Sequence, residues 1–524
     1  MSVFSHARRP RLLALTAASL AAGWLVAGCT VGPDYRSAPE VAANAIDAGR
    51  FPHAPAVAEP VAPRAADWWH ALGDTQLDTL IETALKDSPD IDVARARVRQ
   101  ARAGLDSNKA NLLPKVGFDA AMLRTRSPDL SALSGSGSSG GGRGPLSLYI
   151  ASFDASWEID LFGGTRRSIE AASAEADAAS AQLADAHVQL AAEVAQAYVT
   201  LREQQASLAH LQASEKLEAD MLDLTQQRRA RGVASQLEVE RLLTQLDNTR
   251  AQMSPVQASI AEQFDQLALL TGRAPGTLDA ELTSAQPLPS VPETVAVGDP
   301  AALLKARPDI RAAERRLASS TAQIGVRKAD WFPKLSLLGS LGFSAMDPGH
   351  LARKDNGTWL TLPRLQWNIL DFGRVAAGVD SAEGGRDEAD ANYRSTVLRA
   401  LRDADVALSR YGHQREHVVV LRRVEASSER ASTLQQQRYR AGTASMLEWL
   451  DVERTRVVAQ QNRISGDADL LKDYVSLQKS LGLGWQTAAA AQGMPAAPAA
   501  PAAPAAPAAP AASATASQPA TPAS

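Results

Sequence analysis

The chain has 524 residues, more than an ordinary single domain, so length alone suggests three or four domains of about 150 residues. Apolar residues make up 45% of it but aromatics only 5%, and stretches such as 171–181 show how much of the apolar share is alanine; such side chains bury little area and suit long, closely packed helices better than several large cores. A formal net charge of −4 excludes the basic footprint of a nucleic-acid binder, the single cysteine excludes disulfides within the chain, and no run approaches the roughly 20 apolar residues of a membrane-spanning helix.

Arg8, Arg9 and Arg11 precede an apolar stretch of 15 residues at 12–26, which has signal-peptide length and predicts export. Leu25-Val26-Ala27-Gly28-Cys29 follows, and the only cysteine closes it. This pentapeptide resembles the lipobox of bacterial lipoproteins. The resemblance implies removal of 1–28 and acylation of Cys29 as the first mature residue. Several acyl chains, at about 0.8 kcal/mol per buried methylene, would anchor the protein where one would not. Thr30 stands where an inner-membrane retention signal would resemble Asp, so the analogy favours the outer membrane.

The first long helix should start at Ser88-Pro89, with serine as N-cap and proline at the first helical position, and end near Asn111 before Pro114. A strand with Val116, Phe118, Ala120 and Met122 on one face follows, then a Gly/Ser-rich loop at 134–145. In the next strand Tyr149, Ala151, Phe153, Ala155, Trp157, Ile159 and Leu161 alternate with Ser152, Asp154, Ser156, Glu158 and Asp160. Gly163-Gly164 releases the chain into a helix that meets no proline or glycine until Gly232, and a further helix runs from about Ser235 to Leu270 despite Pro255. At 1.5 Å per residue the long helix spans roughly 100 Å and the two shorter ones about 35 and 55 Å, which predicts that the shorter pair stacks coaxially beside it.

The pattern then repeats. Gln226–Glu238 aligns with Gln436–Glu448 at an offset of 210, with eight of thirteen positions identical; the same offset pairs Trp157 with Trp367, Phe162-Gly163 with Phe372-Gly373 and Gly272 with Gly482. Upstream the offset is 219, pairing Pro89-Asp90-Ile91 with Pro308-Asp309-Ile310, so the first copy has the longer strand-strand loop. In the second copy Leu335, Leu337, Gly339, Leu341 and Phe343 mark one strand; Leu365, Trp367 and Ile369 against Arg364, Gln366 and Asn368 mark the other. The expected organisation is a signal at 1–28, an acylated segment at 29–73, repeats at 74–272 and 307–485 joined by 273–306, and an Ala/Pro-rich, disordered tail at 486–524. The proline-rich segments 31–66 and 273–306 should form an irregular belt.

Four amphipathic strands of about ten residues have the length and alternation of a membrane barrel, whose smallest form has 8. An open edge cannot survive in lipid, so several protomers must share one barrel; dimer and trimer both satisfy this.

The lipobox with Cys29-Thr30-Val31-Gly32-Pro33-Asp34-Tyr35, then Asp67-Trp68-Trp69, Glu158-Ile159-Asp160-Leu161-Phe162-Gly163 and the paired Arg-x-x-x-Gly-x-x-Ser segments together resemble the outer-membrane factor family, TolC-like and closest to OprM-like lipoproteins of tripartite efflux systems. The resemblance covers about 29–485. It implies a mainly α protein with a membrane β-barrel part. In that architecture a duplicated helix-strand-strand-helix-helix unit gives four strands per protomer, a homotrimeric 12-strand barrel in outer-membrane lipid and a periplasmic helical tunnel. It also implies a periplasmic adaptor and an inner-membrane pump of the resistance-nodulation-division class as partners, and a passive exit duct for small toxic compounds.

At the reversals, Gly232 and Gly442 can adopt positive φ, and Ser235 and Ser445 can cap the outgoing helices. By resemblance these are adaptor-contacting tips. Leu447, Asp451 and Arg454 match the periplasmic constriction of OprM-like channels, with the arginine able to hold the closed state; Arg241 stands opposite Asp451 in the first copy, so the constriction falls mainly to the second. The polar strand faces, Asp154, Glu158, Asp160, Arg364, Gln366 and Asn368, should line an aqueous lumen.

Two motifs point elsewhere on paper. Gly135-x-Gly137-x-x-Gly140 lacks the strand and helix that a dinucleotide site requires, and His413-x-x-Glu416-His417 has no third zinc ligand nearby, so no catalytic residue, cofactor or metal is expected and energy must come from partners. A duct for protein secretion and a lipid-anchored helical structural protein are the rival readings; the second would not need alternating strands.

Overall fold

The computed structural model describes residues 30–59, 61, 67–125 and 146–485. The signal, Cys29, the Gly/Ser-rich loop and the Ala/Pro tail lie outside the described residues.

Eleven main elements organise these residues. Helices α1 (Thr75–Asp87) and α2 (Pro89–Ala110) lead to strands β1 (Lys115–Thr125) and β2 (Leu146–Ile159), then to α3 (Gly164–Ala230) and α4 (Gln236–Leu270). The second half repeats this with α5 (Pro308–Ala329), β3 (Lys334–Ala345), β4 (Gly357–Gln366), α6 (Arg374–Arg440) and α7 (Met446–Ser480). The three helix lengths recur unchanged: 22 residues in α2 and α5, 67 in α3 and α6, 35 in α4 and α7.

Local chemistry sets the boundaries. Asp74 caps α1, its Oδ1 accepting from the amides of Gln76 at 2.9 Å and Leu77 at 3.1 Å. Proline opens both α2 and α5, where its missing N–H costs nothing. Ser88 was expected to cap α2, but its side chain makes no cap hydrogen bond; proline geometry alone starts that helix. Pro255 sits within α4 with both it and Ala251 exposed, so the carbonyl that loses its partner faces water.

The short helices do stack end to end. A Cβ built on Gly272, just past α4, would lie 2.5 Å from the Asp87 carbonyl and 3.3 Å from Pro89, so the end of α4 abuts the start of α2. Gly482 after α7 meets Arg307 before α5 in the same way. Each half is therefore a 67-residue helix of about 100 Å beside a composite column of about 85 Å.

The columns pack in the order α2/α4, α3, α5/α7, α6. All four strands pair antiparallel in the matching order β1-β2-β3-β4. One protomer is thus a ribbon, helical below and stranded above, with an open edge on each side of both parts.

The main core lies midway along α3, where Val194, Tyr198, Val199 and Leu201 pack under Trp68, Trp69, Leu72, Leu77 and Ile81, with Leu471 and Val475 of α7. Arg202 is fully buried there, donating to Gln205 at 2.6 Å and to the Ser284 carbonyl at 2.8 Å, while Tyr198 donates to Asp74 at 2.7 Å. At the edge of this core the two irregular segments are joined: Ala58–Glu59 pairs in parallel with Val295–Ala296, and Val295 is buried in the core.

Candidate channel face, constriction and tips

The sheet register places Asp154 opposite Ser340 and Gly117, and Glu158 opposite Ser336, which faces Arg364 in turn. Because side chains alternate along a strand, Asp154, Glu158, Arg364 and Gln366 share one face with Asp119, Ser152 and Ser156. The opposite face carries Val116, Phe118, Met122, Phe153, Trp157, Leu341, Trp359 and Leu365, many of them strongly exposed in a single chain.

Two residues expected on the polar strand face are not in strands. Strand β2 ends at Ile159 and β4 at Gln366, so Asp160 and Asn368 fall in the turns that follow. Asp160 folds back onto α3 instead: its Oδ2 accepts the Arg166 amide at 2.9 Å and the Arg166 guanidinium at 3.3 Å. Charge-assisted acceptance of free helix N–H groups overrides the alternation there. Asp371 does the same for α6, accepting the amides of Gly373 at 3.1 Å and Val375 at 2.6 Å, which holds its carboxyl below the usual range. Trp367 and Ile369 also lie beyond β4.

A band of aromatic side chains marks this junction. Trp157 Nε1 donates to the Leu112 carbonyl at 2.9 Å and Trp367 Nε1 to the Trp331 carbonyl at 3.0 Å; Phe162 stacks on Phe332 at 4.6 Å. Together with exposed Trp331 and Phe372 they form the interfacial girdle expected at the foot of a membrane barrel.

At the far end both reversals have the same build. Gly232 has φ 77° and Gly442 φ 72°. Val233 N donates to Arg228 O at 3.0 Å and Gly232 N to Arg229 O at 2.8 Å; the equivalent bonds of Thr443 and Gly442 are 2.9 and 3.0 Å. That is the Schellman pattern, which needs the left-handed residue that glycine supplies most easily. Ser235 and Ser445 then open α4 and α7 with full capping boxes, paired with Glu238 and Glu448.

Leu447, Asp451 and Arg454 follow on α7. Their i, i+4, i+7 spacing places them on one helix face, and all three are exposed in one copy. Among the described residues neither Asp451 nor Arg454 has an ion-pair partner. Arg241 on α4 is exposed as well.

The buried face of the same turns carries residues that sequence reading missed. Met446 and Trp449 pack with Met221 and Leu242, and Tyr439 lies 5.1 Å from Trp449 while accepting from Arg228 at 2.5 Å, tying one hairpin to the other. Glu453 is buried, held by Arg456 at 2.5 Å and by Ser432 at 2.7 Å. Glu218 on α3, also buried, accepts from Gln245 at 3.0 Å through Oε1, with Thr249 beside the same carboxylate. Burial, reinforced by Glu453 and Glu215, raises its pKa. The available signal was an acid at position 453 on the stripe defined by Met446 and Trp449. His413 and Glu416, by contrast, stand in solvent on α6, 3.9 Å apart, and no metal-holding group of three or more His, Cys, Asp or Glu occurs among the described residues.

This architecture of paired long helices capped by a four-stranded, two-faced sheet is that of an outer-membrane channel protomer. The family model "Outer membrane efflux protein" matches residues 80–273 and 300–483, and the chain belongs to that family. It is 32% identical over 483 residues to the antibiotic efflux pump outer membrane protein ArpC of Pseudomonas putida, covering 90% of this chain and 96% of the relative. It is 30% identical to the outer membrane protein OprJ of Pseudomonas aeruginosa, over 80% of this chain and 86% of that one. Among solved structures, the outer-membrane channel OprN matches with a TM-score of 0.77 and 35% identity, covering 88% of this chain and all of that one. The open-state MtrE channel of Neisseria gonorrhoeae matches at 0.75 and 27%, covering 87% and 99%. The fold is TolC-like, the protein is an outer-membrane one, and its family is one of channels, not enzymes.

Proposed function

We propose that this protein is the passive exit duct of a tripartite efflux pump, carrying small toxic compounds from a periplasmic adaptor and an inner-membrane pump to the exterior. The observation that carries this reading is the ribbon with open edges in both its strands and its helical columns. Copies that pair β4 with the next β1, and α6 with the next α2/α4, close barrel and tunnel together. Three copies give 12 strands, above the minimum of 8 for a membrane barrel.

In such a trimer Asp154, Glu158, Arg364 and Gln366 line the lumen, and the apolar strand face meets lipid. Leu447, Asp451 and Arg454 repeat around the axis as the periplasmic constriction, with Arg454 finding its acidic partner on a neighbouring copy. Gly232, Ser235, Gly442 and Ser445 shape the tips for the adaptor. Cys29 carries the acyl anchor in the outer membrane.

The test is a heat-modifiable trimer reconstituted in planar bilayers. Wild type should conduct in small, rare steps and Asp451→Ala in large, stable ones. Absence of conductance from both would overturn the duct.

A further inference from the structure

We propose that Arg167 is the positioning residue of the membrane anchor: it clamps the segment that follows Cys29 into a slot between α3 and α5, so that the lipid enters the bilayer at the aromatic girdle on a rigid strap. The proposal rests on the reading of Cys29 as the acylated residue and adds what holds the segment that follows it.

Three observations converge on the slot. Arg167 is 4% exposed, and its guanidinium is committed to the strap and its own helix: Nε donates to Val31 O at 3.1 Å, Nη2 to Gly32 O at 3.3 Å and to Asp34 at 2.5 Å, and Nη1 to Glu170 at 2.8 Å. A fork that grips two carbonyls and a carboxylate is a task for arginine that lysine cannot duplicate.

The strap also crosses α5 where neither side has a Cβ. Gly32, at φ 96°, lies directly on Gly325; a Cβ on Gly32 would clash with the Gly325 backbone, and one on Gly325 would come within 2.9 Å of Val31 O and 2.8 Å of Arg167 Cγ. Such backbone contact is possible only with glycine in both segments.

The strap's upper end is fixed in height. Val31 N donates to Phe162 O at 3.2 Å, and a Cβ on Gly163 would lie 2.7 Å from the Thr30 side chain. Phe162 belongs to the girdle through its stack on Phe332. Thr30 is thus held at the level of the girdle, and it is the residue that directly follows the proposed anchor in the sequence. The lipid is thereby coupled to the junction of both repeats, since α3 belongs to the first and α5 to the second.

The experiment uses the full chain expressed with its own signal, purified and reconstituted in phosphatidylethanolamine/phosphatidylglycerol vesicles. Incorporation of labelled palmitate tests the anchor alone. Hydrogen exchange of residues 31–34 tests the strap: wild type should exchange slowly, Arg167→Ala at least about tenfold faster, and Arg167→Lys in between, with the tips at 230–235 unchanged. A bimane on Pro33→Cys, quenched by lipids brominated at defined depths, should report one interfacial depth, which broadens toward water in Arg167→Ala. A Cys29→Ser chain exported behind a non-lipoprotein signal should keep the slow exchange. Free-chain exchange of 31–34 in wild type, or slow exchange and unchanged depth in Arg167→Ala, would overturn the clamp. Slow exchange without palmitate would leave the clamp standing and remove the anchor.

Discussion

Arg307 holds Gly482 at the point where two helices become one column. The guanidinium donates to the Ser480 carbonyl at 2.7 Å, satisfying one of the acceptors that the end of α7 leaves open, and pairs with Asp309 at 2.7 Å in the first turn of α5. Gly482 has φ 72°, and a Cβ there would sit 2.7 Å from Arg307 Cγ and 3.0 Å from its Cα.

Gly482→Ala should therefore lose about 1–3 kcal/mol, combining left-handed strain with displacement of Arg307. The check is the thermal transition of the reconstituted trimer, which should fall for Gly482→Ala and hold or rise for Gly384→Ala, a helical glycine with open space around it in one copy.

Removing a tip cap should act locally. Ser445→Ala leaves the first turn of α7 short of an acceptor and should cost about 1 kcal/mol. Exchange at 442–449 should rise severalfold while the core amides around Tyr198 stay protected. Equal loosening at both places would mean that the tip is not an independent unit.

Arg454→Ala should open the closed duct as Asp451→Ala does, because the proposed constriction needs both members of the ion pair. The double variant should conduct no more than either single one. Additive increases in single-channel conductance would show that the two residues act apart.

Acidity should tighten the helices behind the constriction through Glu218. Its pKa is raised from 4.5 by burial, so the charged form is penalised in the folded packing. That penalty is absent below the ordinary glutamate range, grows as pH rises from that range toward the raised value, and is complete above it. Buried His210 acts the other way: its pKa is lowered, so acidification below about 6.5 favours unfolding. Glu218→Gln should abolish the first effect and leave the second, so its stability should fall more steeply than that of wild type as pH drops from 7 to 5. Identical slopes in chemical denaturation would refute this role.

Much of the molecule was legible because its signals are local. Alternation from Tyr149 to Ile159 fixed which side chains share a face, since a strand has no other period. Gly232 with Ser235, and Gly442 with Ser445, specified their reversals because left-handed φ and capping need only a few neighbouring residues. The length of α3 followed from where glycine falls, and that of α6, which runs through Gly378, Gly384, Gly385 and Gly412, from the duplication read in the 210-residue offset.

What the chain alone could not decide depends on residues far apart. Asp160 reads as one more polar strand position until α3 offers it free N–H groups; its hydrogen bonds outweigh the pattern. Glu218 and Glu453 look like solvated acids until four helices enclose them. The order of the columns, the Arg228–Tyr439 link and the Arg167 slot arise from contacts between segments far apart in the chain, 211 residues for Arg228–Tyr439 and more for Gly32 on Gly325, where no short-range period carries information. Sequence set each element and its apolar face; the tertiary structure chose which faces meet, because burial and hydrogen bonding are decided only when the partner is in place.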